Sequence, residues 1–346
     1  MAQALLVARV MRLALVTFVS LLAACGPDGP EDGPTVDGGP GGTSGTLDID
    51  WHPTHAPALA LAADSTHVYY ATHDRIQRVP VSGGEAEVLY AIPPAGGETL
   101  FRSVSSLYLG PDEVVFVLSA TQMNQSTTKS LLSVPRTGGA ATTLAQSGDV
   151  RAFLGVSFDA EYVYYSSFTS LVRVPRAGGM PRFVGNSDQS VRYWMFSPVV
   201  TAETIDWAEG GALYRMAKSD VGGEGQAFAE LPGVGAIIAR EPAYVVALSD
   251  QIAFQSPPSS AVVVDPATGA VGPELPLPGM TSIAPVEQTV AASPEYLWAA
   301  SIDGLWQTSR SGGAPARVLD GVIAAVTAGP DGVYAATQTA IVRSAP

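Results

Sequence analysis

Short apolar runs separated by turn residues dominate the chain after residue 46. Stretches such as HVYYAT at His67, YVYYSS at Tyr162 and YVVALS at Tyr244 are rich in valine and tyrosine and are bounded by Gly, Pro, Asp or Ser. Runs of this length and composition predict β-strands. No stretch beyond residue 46 sustains a helical hydrophobic period with capping residues, so we expect an all-β protein.

A double glycine follows one of these strands at recurring intervals. The sequence is RVPVSGG at Arg78, SVPRTGG at Ser133, RVPRAGG at Arg173 and QTSRSGG at Gln307, and a fifth copy ends in Gly222-Gly223. Repeats of roughly 40 to 50 residues with strands on both sides of a turn are typical of β-propeller blades. The pattern therefore predicts a propeller in which the glycine pair turns the chain inside each blade.

The repeats divide residues 47–346 into seven units of about 43 residues, a normal blade length. The last unit holds only three strands, and LDIDW (Leu47 to Trp51) can supply the fourth. Closing the last blade with the N-terminal strand leaves no open edge in the ring. We predict a seven-bladed β-propeller of four-stranded antiparallel blades, closed by the N-terminal strand.

One stretch, VYYATHDRIQRV (Val68 to Val79), resembles the repeats of YWTD-type and NHL/YVTN-type propellers, and the resemblance extends over the folded body as a blade pattern. It implies the fold alone, because the acid that closes the YWTD motif is replaced in most blades, by Thr72, Ser167, Ser301 and Thr337. The turn DPATG at Asp265 is similar to one in quinoprotein and YVTN propellers. It occurs once, and we interpret it as a turn with Gly269 in the left-handed conformation.

The N-terminus has the layout of an export signal. Arg9 and Arg12 precede the apolar run Leu13 to Leu22, which is shorter than the roughly 20 residues that span a bilayer. The following Leu-Ala-Ala-Cys25 resembles the lipobox of bacterial lipoproteins, which implies cleavage before Cys25 and acylation of its thiol and amine. Since Cys25 is the single cysteine, lipidation also accounts for a lone thiol in an exported protein.

Residues 26–46 are dominated by glycine, proline and acids and cannot bury enough apolar surface to order themselves. We therefore expect three parts: a lipoprotein signal peptide (1–24), lipidated Cys25 with a flexible tether (25–46), and the propeller (47–346). Gly26 after the cysteine favours sorting to the outer membrane of a bacterial cell envelope, by analogy with enteric lipoproteins.

Acidic residues outnumber basic ones, with 32 Asp and Glu against 18 Lys and Arg and a net charge of −14. Loss of residues 1–24 would remove two of those arginines and no acids. An acidic surface argues against nucleic acid and against electrostatic binding to anionic lipid. The expected membrane contact is therefore the acylated Cys25.

Catalytic and metal-binding motifs are absent from the sequence. The four histidines are His52, His55, His67 and His73, and Pro53 between the first two opposes a helical pair of metal ligands. There is no HExxH, GxSxG, phosphate-binding loop or CxxC. The sequence predicts neither a cofactor nor a metal, although a hydrolase or lactonase with a channel metal stays open as the alternative.

Counting the same number of residues back from the second strand of each unit gives one equivalent position per blade. In a propeller these positions are expected at the start of the inner strands, around the mouth of the central channel. The positions include Arg102, Val150 with Arg151 next to it, and Arg192 from consecutive blades, and Asp320 from blade seven; Trp194 lies close to Arg192 in the sequence. Converging arginines are suited to an anion or a carboxylate. Each arginine could instead pair with a nearby acid or stack on an aromatic ring.

The function we expect is that of a lipid-anchored binding or scaffold module with a protein or glycan partner. Two long connections, Ser119 to Ser130 and Ser249 to Ser260, are expected as loops on the face that joins the blades. Long loops on a rigid scaffold commonly carry binding, and Met123, Ile252 and Phe254 are candidates for it.

Overall fold

The computed structural model describes residues 47–54, 56–149, 152–167, 170–185, 195–239, 243–249, 258–278 and 286–344. Their strands form seven antiparallel sheets of four strands each, arranged as the blades of a ring. The predicted seven-bladed β-propeller is therefore confirmed. The predicted signal peptide, Cys25 and the tether lie outside the described residues.

Blades one to four take their strands in chain order. Blade one consists of β2 (Ala60–Ala63), β3 (His67–Ala71), β4 (Arg75–Pro80) and β5 (Glu87–Ala91), and blade two consists of β6 (Thr99–Leu109), β7 (Glu113–Gln122), β8 (Thr127–Pro135) and β9 (Thr142–Ser147). Blade three consists of β10 (Ala152–Phe158), β11 (Tyr162–Ser167), β12 (Ser170–Pro175) and β13 (Arg182–Gly185), and blade four consists of β14 (Met195–Val200), β15 (Thr204–Glu209), β16 (Ala212–Ala217) and β17 (Gln226–Glu230).

Blades five to seven follow the same order except that the first strand of the chain completes the last blade. Blade five consists of β18 (Val234–Ala239), β19 (Tyr244–Ser249), β20 (Ser260–Val264) and β21 (Leu275–Pro276). Blade six consists of β22 (Val290–Ala292), β23 (Tyr296–Ala300), β24 (Gly304–Ser309) and β25 (Ala316–Asp320). Blade seven consists of β26 (Ala325–Gly329), β27 (Gly332–Ala336), β28 (Ala340–Ser344) and β1 (Leu47–Pro53).

The first strand of each blade is the inner one, because first strands of neighbouring blades contact each other around most of the ring. One end of the ring, the turn face, carries the connections between first and second strands and between third and fourth strands. The other end, the loop face, carries the connections between second and third strands and those between blades. The two faces therefore differ in which parts of the sequence they present.

The N-terminal strand closes the ring as predicted. β1 pairs antiparallel with β28, with Leu47 opposite Ser344 and Pro53 opposite Ala340. This gives blade seven its outer strand and covers the edge that β28 would otherwise expose. Because Leu47 lies beside the last residue of β28, the chain enters the propeller at the turn face.

The glycine pairs of the repeats form the turns between third and fourth strands. The first glycine of each pair has a positive φ, from 80° at Gly83 to 96° at Gly312. Side chains strongly disfavour that conformation, which explains the recurrence of glycine there. Gly269 takes the same role in blade five with a φ of 72°, as the DPATG pattern predicted.

Apolar side chains from facing blades fill the gaps between them. Among the described residues, separate buried clusters lie between each pair of neighbouring blades, including blades seven and one. At the last of these, Tyr334 and Ile341 of blade seven pack with Leu61 and Tyr70 of blade one. Burial of apolar area between blades is thus the main force that holds the ring shut.

Helical structure is scarce in the described part of the chain. It holds the four-residue helix α1 (Val286–Thr289) and a short 3₁₀ turn at Lys218–Asp220. Neither of these described segments is long and apolar enough to span a bilayer.

Candidate functional site

A chamber of about 590 Å³ occupies the middle of the ring. Inner strands of six blades line it, together with Gln288 of α1. The lining reaches the first turns of blades two and three, at Gly110, Pro111 and Phe158, so the chamber lies toward the turn face. Its volume is within the usual range for small-molecule sites.

Gln288 bounds the chamber on the side of the loop face. Its Oε1 accepts a hydrogen bond of 2.9 Å from the backbone N–H of Leu61 in β2, and its Nε2 donates one of 3.3 Å to the carbonyl of Leu107 in β6. The side chain is buried, and α1 also contacts β18, β22 and β26. One amide therefore ties blade six to the inner edges of blades one and two.

The chamber wall at blades three and four contains strained backbone. Phe153 and Ser197 have φ values of 62° and 44°, which non-glycine residues rarely adopt. Gly155, with a φ of 94°, approaches Ser197 so closely that a Cβ there would lie 2.5 Å from the Cα of Ser197. Irregularities of this kind concentrate at functional sites, and these two inner strands are bulged where they line the chamber.

Arg136 is the charged side chain among the described residues that line the chamber, and its charge is compensated. Its guanidinium donates to Asp64 of blade one at 2.6 Å and to the carbonyl of Gly110. Burial opposes ionisation of Asp64, but hydrogen bonds from Thr66 and His67 and the charge of Arg136 lower the pKa of that carboxyl. The chamber therefore carries no net charge from this pair at neutral pH.

The same arrangement recurs between other blades. In each case the basic residue that precedes the glycine turn pairs with an acid at the first turn of the preceding blade. Arg176 pairs with Glu113 in this way, and Lys218 pairs with Asp159 at 2.8 Å. For Asp159, burial raises the pKa but hydrogen bonds from Lys218, Tyr164 and the backbone outweigh it and lower the pKa to about 2. These bridges make the basic residue before the glycine turn a link between blades.

A buried carboxylate also links blades four and five. Asp206 is fully buried, and it accepts three hydrogen bonds from the guanidinium of Arg215 and a fourth from the hydroxyl of Tyr244. Burial and the neighbouring carboxylate raise the pKa of Tyr244. Since Asp206 is fully paired and lies outside the chamber lining, we assign it a structural role.

Blade two extends beyond its neighbours on the loop face. β6, β7 and β8 are 11, 10 and 9 residues long, and their pairing continues to Thr99 opposite Gln122 and Thr121 opposite Thr127. The segment Ser119 to Ser130, predicted as a loop, is therefore mostly strand, with only Met123 to Ser126 forming the turn. Backbone hydrogen bonds between strands extend the sheet along this segment, although its side chains are polar.

The tip of this extension is ordered and carries exposed apolar side chains. Asn124 accepts hydrogen bonds from the backbone and hydroxyl of Ser126, which holds the turn in shape. Leu100, Phe101 and Met123 are 53%, 50% and 64% exposed. We call these three residues the blade-two patch.

The sequence-predicted arginine site is described only in part. Arg102 lies in the extended part of β6 and donates a hydrogen bond of 2.9 Å to the carbonyl of Pro93. Asp320 ends β25, the outer strand of blade six, and pairs with Arg317 at 2.9 Å, so it does not lie on an inner strand beside Arg102. Arg151, Arg192 and Trp194, like Ile252 and Phe254, lie outside the described residues.

Of the described histidines, His52 takes part in local packing. His52 is buried, and its Nε2 lies 3.2 Å from the hydroxyl of Tyr70. Burial lowers the pKa of His52. His55 lies outside the described residues, and within the described ones no group of three or more His, Cys, Asp or Glu is placed to hold a metal ion.

Comparisons with known proteins support the fold. No protein-family model and no curated protein matches the chain. Among solved structures it is similar to Sqt1 of Saccharomyces cerevisiae, with 10% identity over 84% of this chain and 96% of that one and a TM-score of 0.53. It is also similar to YCF48 bound to D1 peptide, with 11% identity over 85% and 95% and a TM-score of 0.51. PorZ, a bacterial surface component of the type-IX secretion system of Porphyromonas gingivalis, matches at 10% identity over 84% of this chain and 38% of that one, with a TM-score of 0.50. At these identities the similarity shows a β-propeller fold alone.

Proposed function

We propose that this protein is a binding module of a bacterial cell envelope, anchored by lipid at Cys25, that presents its loop face to a partner protein. The observation that carries the proposal is the blade-two patch at the tip of an extended, hydrogen-bonded sheet. Single exposed apolar residues are common on monomers, and the grouping of three at one protruding tip supports an interface there.

The order of the tip favours binding. The turn at Met123 is held by the bond from its N–H to the carbonyl of Glu98, at 2.8 Å, and by the Asn124 hydrogen bonds. A preformed tip loses little conformational entropy when a partner covers it. Phe101 and Met123 supply the aromatic and flexible apolar contacts that are enriched at interface centres.

A protein partner fits the charge and the comparisons better than the other classes of partner. The net charge of −14 opposes nucleic acid and anionic lipid. A propeller that is similar over 85% of this chain was solved bound to a peptide. By fold-level analogy, this supports a peptide or protein as the occupant of the loop face.

The proposed anchor would be joined to the propeller through its N-terminal strand. The chain enters the propeller at the turn face, because Leu47 pairs with Ser344. Residues 26–46 would then join a lipid on Cys25 to the strand that begins at this face. The sequence around Cys25 and Gly26 supports the outer membrane as the site of attachment.

No observation in the described residues favours the alternative, a lactonase or hydrolase with a channel metal. Such an enzyme needs several oxygen or nitrogen ligands that converge from different inner strands. The described residues that line the chamber are instead apolar or hydroxyl-bearing, apart from the amide of Gln288 and the paired Arg136. We therefore keep binding as the proposed function.

The test is a comparison of two phenylalanines with similar exposure. Phe101 in the patch is 50% exposed and Phe183 on the outer strand of blade three is 45% exposed. The mature protein, Phe101→Ser and Phe183→Ser serve as baits for envelope extracts, with bound proteins quantified by mass spectrometry. We expect one species to be lost with Phe101→Ser and retained with Phe183→Ser. Equal retention by all three baits would refute the loop-face interface.

A further inference from the structure

The third strands of four blades carry an arginine at the same position of the repeat. It is the fourth residue of the strand and lies opposite the third residue of the second strand. The four residues are Arg78 of blade one, Arg173 of blade three, Arg215 of blade four and Arg343 of blade seven. These blades therefore show which partners the position takes.

Three of the four arginines each bind a carboxylate of their own blade. The distances between nitrogen and oxygen are 2.6 Å for Arg78 with Glu87, 2.7 Å for Arg215 with Asp206 and 3.2 Å for Arg343 with Asp331. In blade one, the acid stands directly opposite the arginine on the fourth strand. A carboxylate is thus the partner that the repeat supplies at this position in the other three blades.

Blade three has a second arginine where blade one has its acid. Arg182 stands directly opposite Arg173 in the pairing of β12 with β13, so the two side chains lie on the same face of the sheet. Like charges directly opposite each other destabilise a sheet. Within the described part of the chain, neither of these two arginines forms an ion pair, in contrast to the three equivalent residues.

Aromatic residues hold Arg173 in place without neutralising it. Its guanidinium carbon lies 4.4 Å from the ring centroid of Tyr162, and the guanidinium donates a hydrogen bond to the hydroxyl of Tyr164. That hydroxyl donates in turn to Asp159 at 2.7 Å, and Asp159 pairs with Lys218 of blade four at 2.8 Å. Since Asp159 offsets the charge of Lys218, this hydrogen-bonded chain leaves the charge of Arg173 uncompensated.

The arginine pair is open to solvent at the outer edge of blade three. Arg182 is exposed and Arg173 is half-buried. A guanidinium binds a carboxylate through two parallel hydrogen bonds, as Arg215 binds Asp206 in blade four. We propose that Arg173 and Arg182 bind a carboxylate from another molecule, in place of the acid that blade one carries. This inference is independent of the proposed interface at the blade-two patch.

A small organic acid and an acidic side chain of a peptide both supply this group, and two probes distinguish them. The mature protein is titrated with succinate and with a capped Glu-Glu dipeptide, and the side-chain N–H signals of arginine are followed by NMR. Succinamide is the neutral analogue of succinate. We expect saturable shifts of the Arg173 and Arg182 signals, with succinamide at least about tenfold weaker. The tighter of the two acids identifies the source.

The absence of saturable shifts with both acids would overturn the proposal, and so would equal affinity for succinamide. Since exposed charges are screened by salt, the affinity should also fall as the ionic strength rises.

Substitution of Arg182 tests the location of the site. Arg182→Glu restores the arrangement of blade one, so an internal acid should occupy Arg173 and abolish succinate binding. Arg317→Gln is the control, because it removes an exposed arginine from the fourth strand of blade six and should leave the affinity unchanged. Unchanged succinate affinity in Arg182→Glu, or equal losses in the two variants, would contradict the site.

Blade one allows the reverse experiment. Glu87→Arg gives it the opposed arginines of blade three, so the Arg78 signal should now shift with succinate. Glu87→Gln removes the same acid without adding an arginine, and its Arg78 signal should shift at least about tenfold more weakly. An Arg78 signal that ignores succinate in Glu87→Arg would overturn the arginine pair as the cause of binding. All these titrations lack a partner protein, so they can fail while the loop-face interface stands, and the reverse also holds.

Discussion

The Oε1 atom of Gln288 lies 2.9 Å from the backbone nitrogen of Leu61, although 227 residues separate them in the chain. Gln288 precedes the inner strand of blade six and Leu61 belongs to that of blade one, so the bond passes blade seven on the channel side. The same amide reaches Leu107 in blade two. One buried side chain thereby joins inner edges that the sheets leave unpaired and sets one limit of the chamber.

Loss of the Gln288 amide should destabilise the ring. Gln288→Leu leaves the Leu61 N–H and the Leu107 carbonyl without this partner, at a cost of about 2–4 kcal/mol in the free energy of unfolding. Urea unfolding measures the change. Gln226→Leu is the matched control, because Gln226 is exposed on β17 and its replacement should stay within about 0.5 kcal/mol of wild type. Equal stability of the two variants would remove Gln288 from the account of ring closure.

Deletion of the closing strand should be far more harmful than deletion of the tether. Without Leu47 to Trp51, β28 exposes its ladder edge and blade seven loses its outer strand. We expect a loss of roughly 3–5 kcal/mol, from several backbone hydrogen bonds and the packing around them. Thermal unfolding compares this deletion with deletion of residues 26–46, which should match wild type. Similar melting temperatures for the two deletions would contradict closure by β1.

The bridge from Lys218 to Asp159 predicts an acid-dependent loss of stability. The pKa of Asp159 is lowered from an ordinary 3.8 to about 2, so the folded state binds its proton less tightly than the unfolded state. The resulting stabilisation is present above about pH 4 and is lost as the pH falls through about 2, with a size of about 2 kcal/mol.

Unfolding measured across that pH window tests the bridge. Asp159→Asn should abolish this part of the pH dependence, so the variant and wild type converge in stability as the pH falls. Glu224→Gln removes an exposed acid and serves as the control. The bridge would be ruled out as the cause if Asp159→Asn kept the wild-type slope between about pH 4 and about pH 2.

The anchor is tested in cells. Cys25→Ser removes the proposed acylated thiol, so the protein should leave the membrane fraction or remain unprocessed. Fractionation and the mass of the mature N-terminus measure both effects. A serine variant that is cleaved normally and stays with membranes would rule out the lipoprotein interpretation.

The blades were predictable because the information for them is local. Each strand is a short apolar run, and each turn between third and fourth strands needs a glycine such as Gly83, whose φ is 80°. Closure by Leu47 to Trp51 followed from the missing fourth strand of the last unit. A basic residue before the glycine pair was also visible in blades two, three, four and six, and it could have indicated the bridges between blades.

The sites were less predictable because they depend on distant pairings. The segment after Ser119 is polar and lacks an alternating pattern, yet pairing with β6 and β8 makes it strand through Gln122. Gln288 stands in no motif, and its partners are backbone groups of other blades. The sequence prediction placed Asp320 at the start of an inner strand by counting residues back from β27. Because only residues 321–324 connect β25 to β26, that count reached beyond the inner strand β26 to the end of β25.

Site-specific photo-cross-linking in cells tests the proposed interface most directly. A benzophenone amino acid replaces Met123 in the blade-two patch or, as the matched control, Met180, which is 83% exposed at the glycine turn of blade three. The account predicts a discrete adduct of one partner protein from position 123 and none of that species from position 180. No adduct at position 123, or the same adducts at both positions, would contradict a loop-face interface with a partner protein.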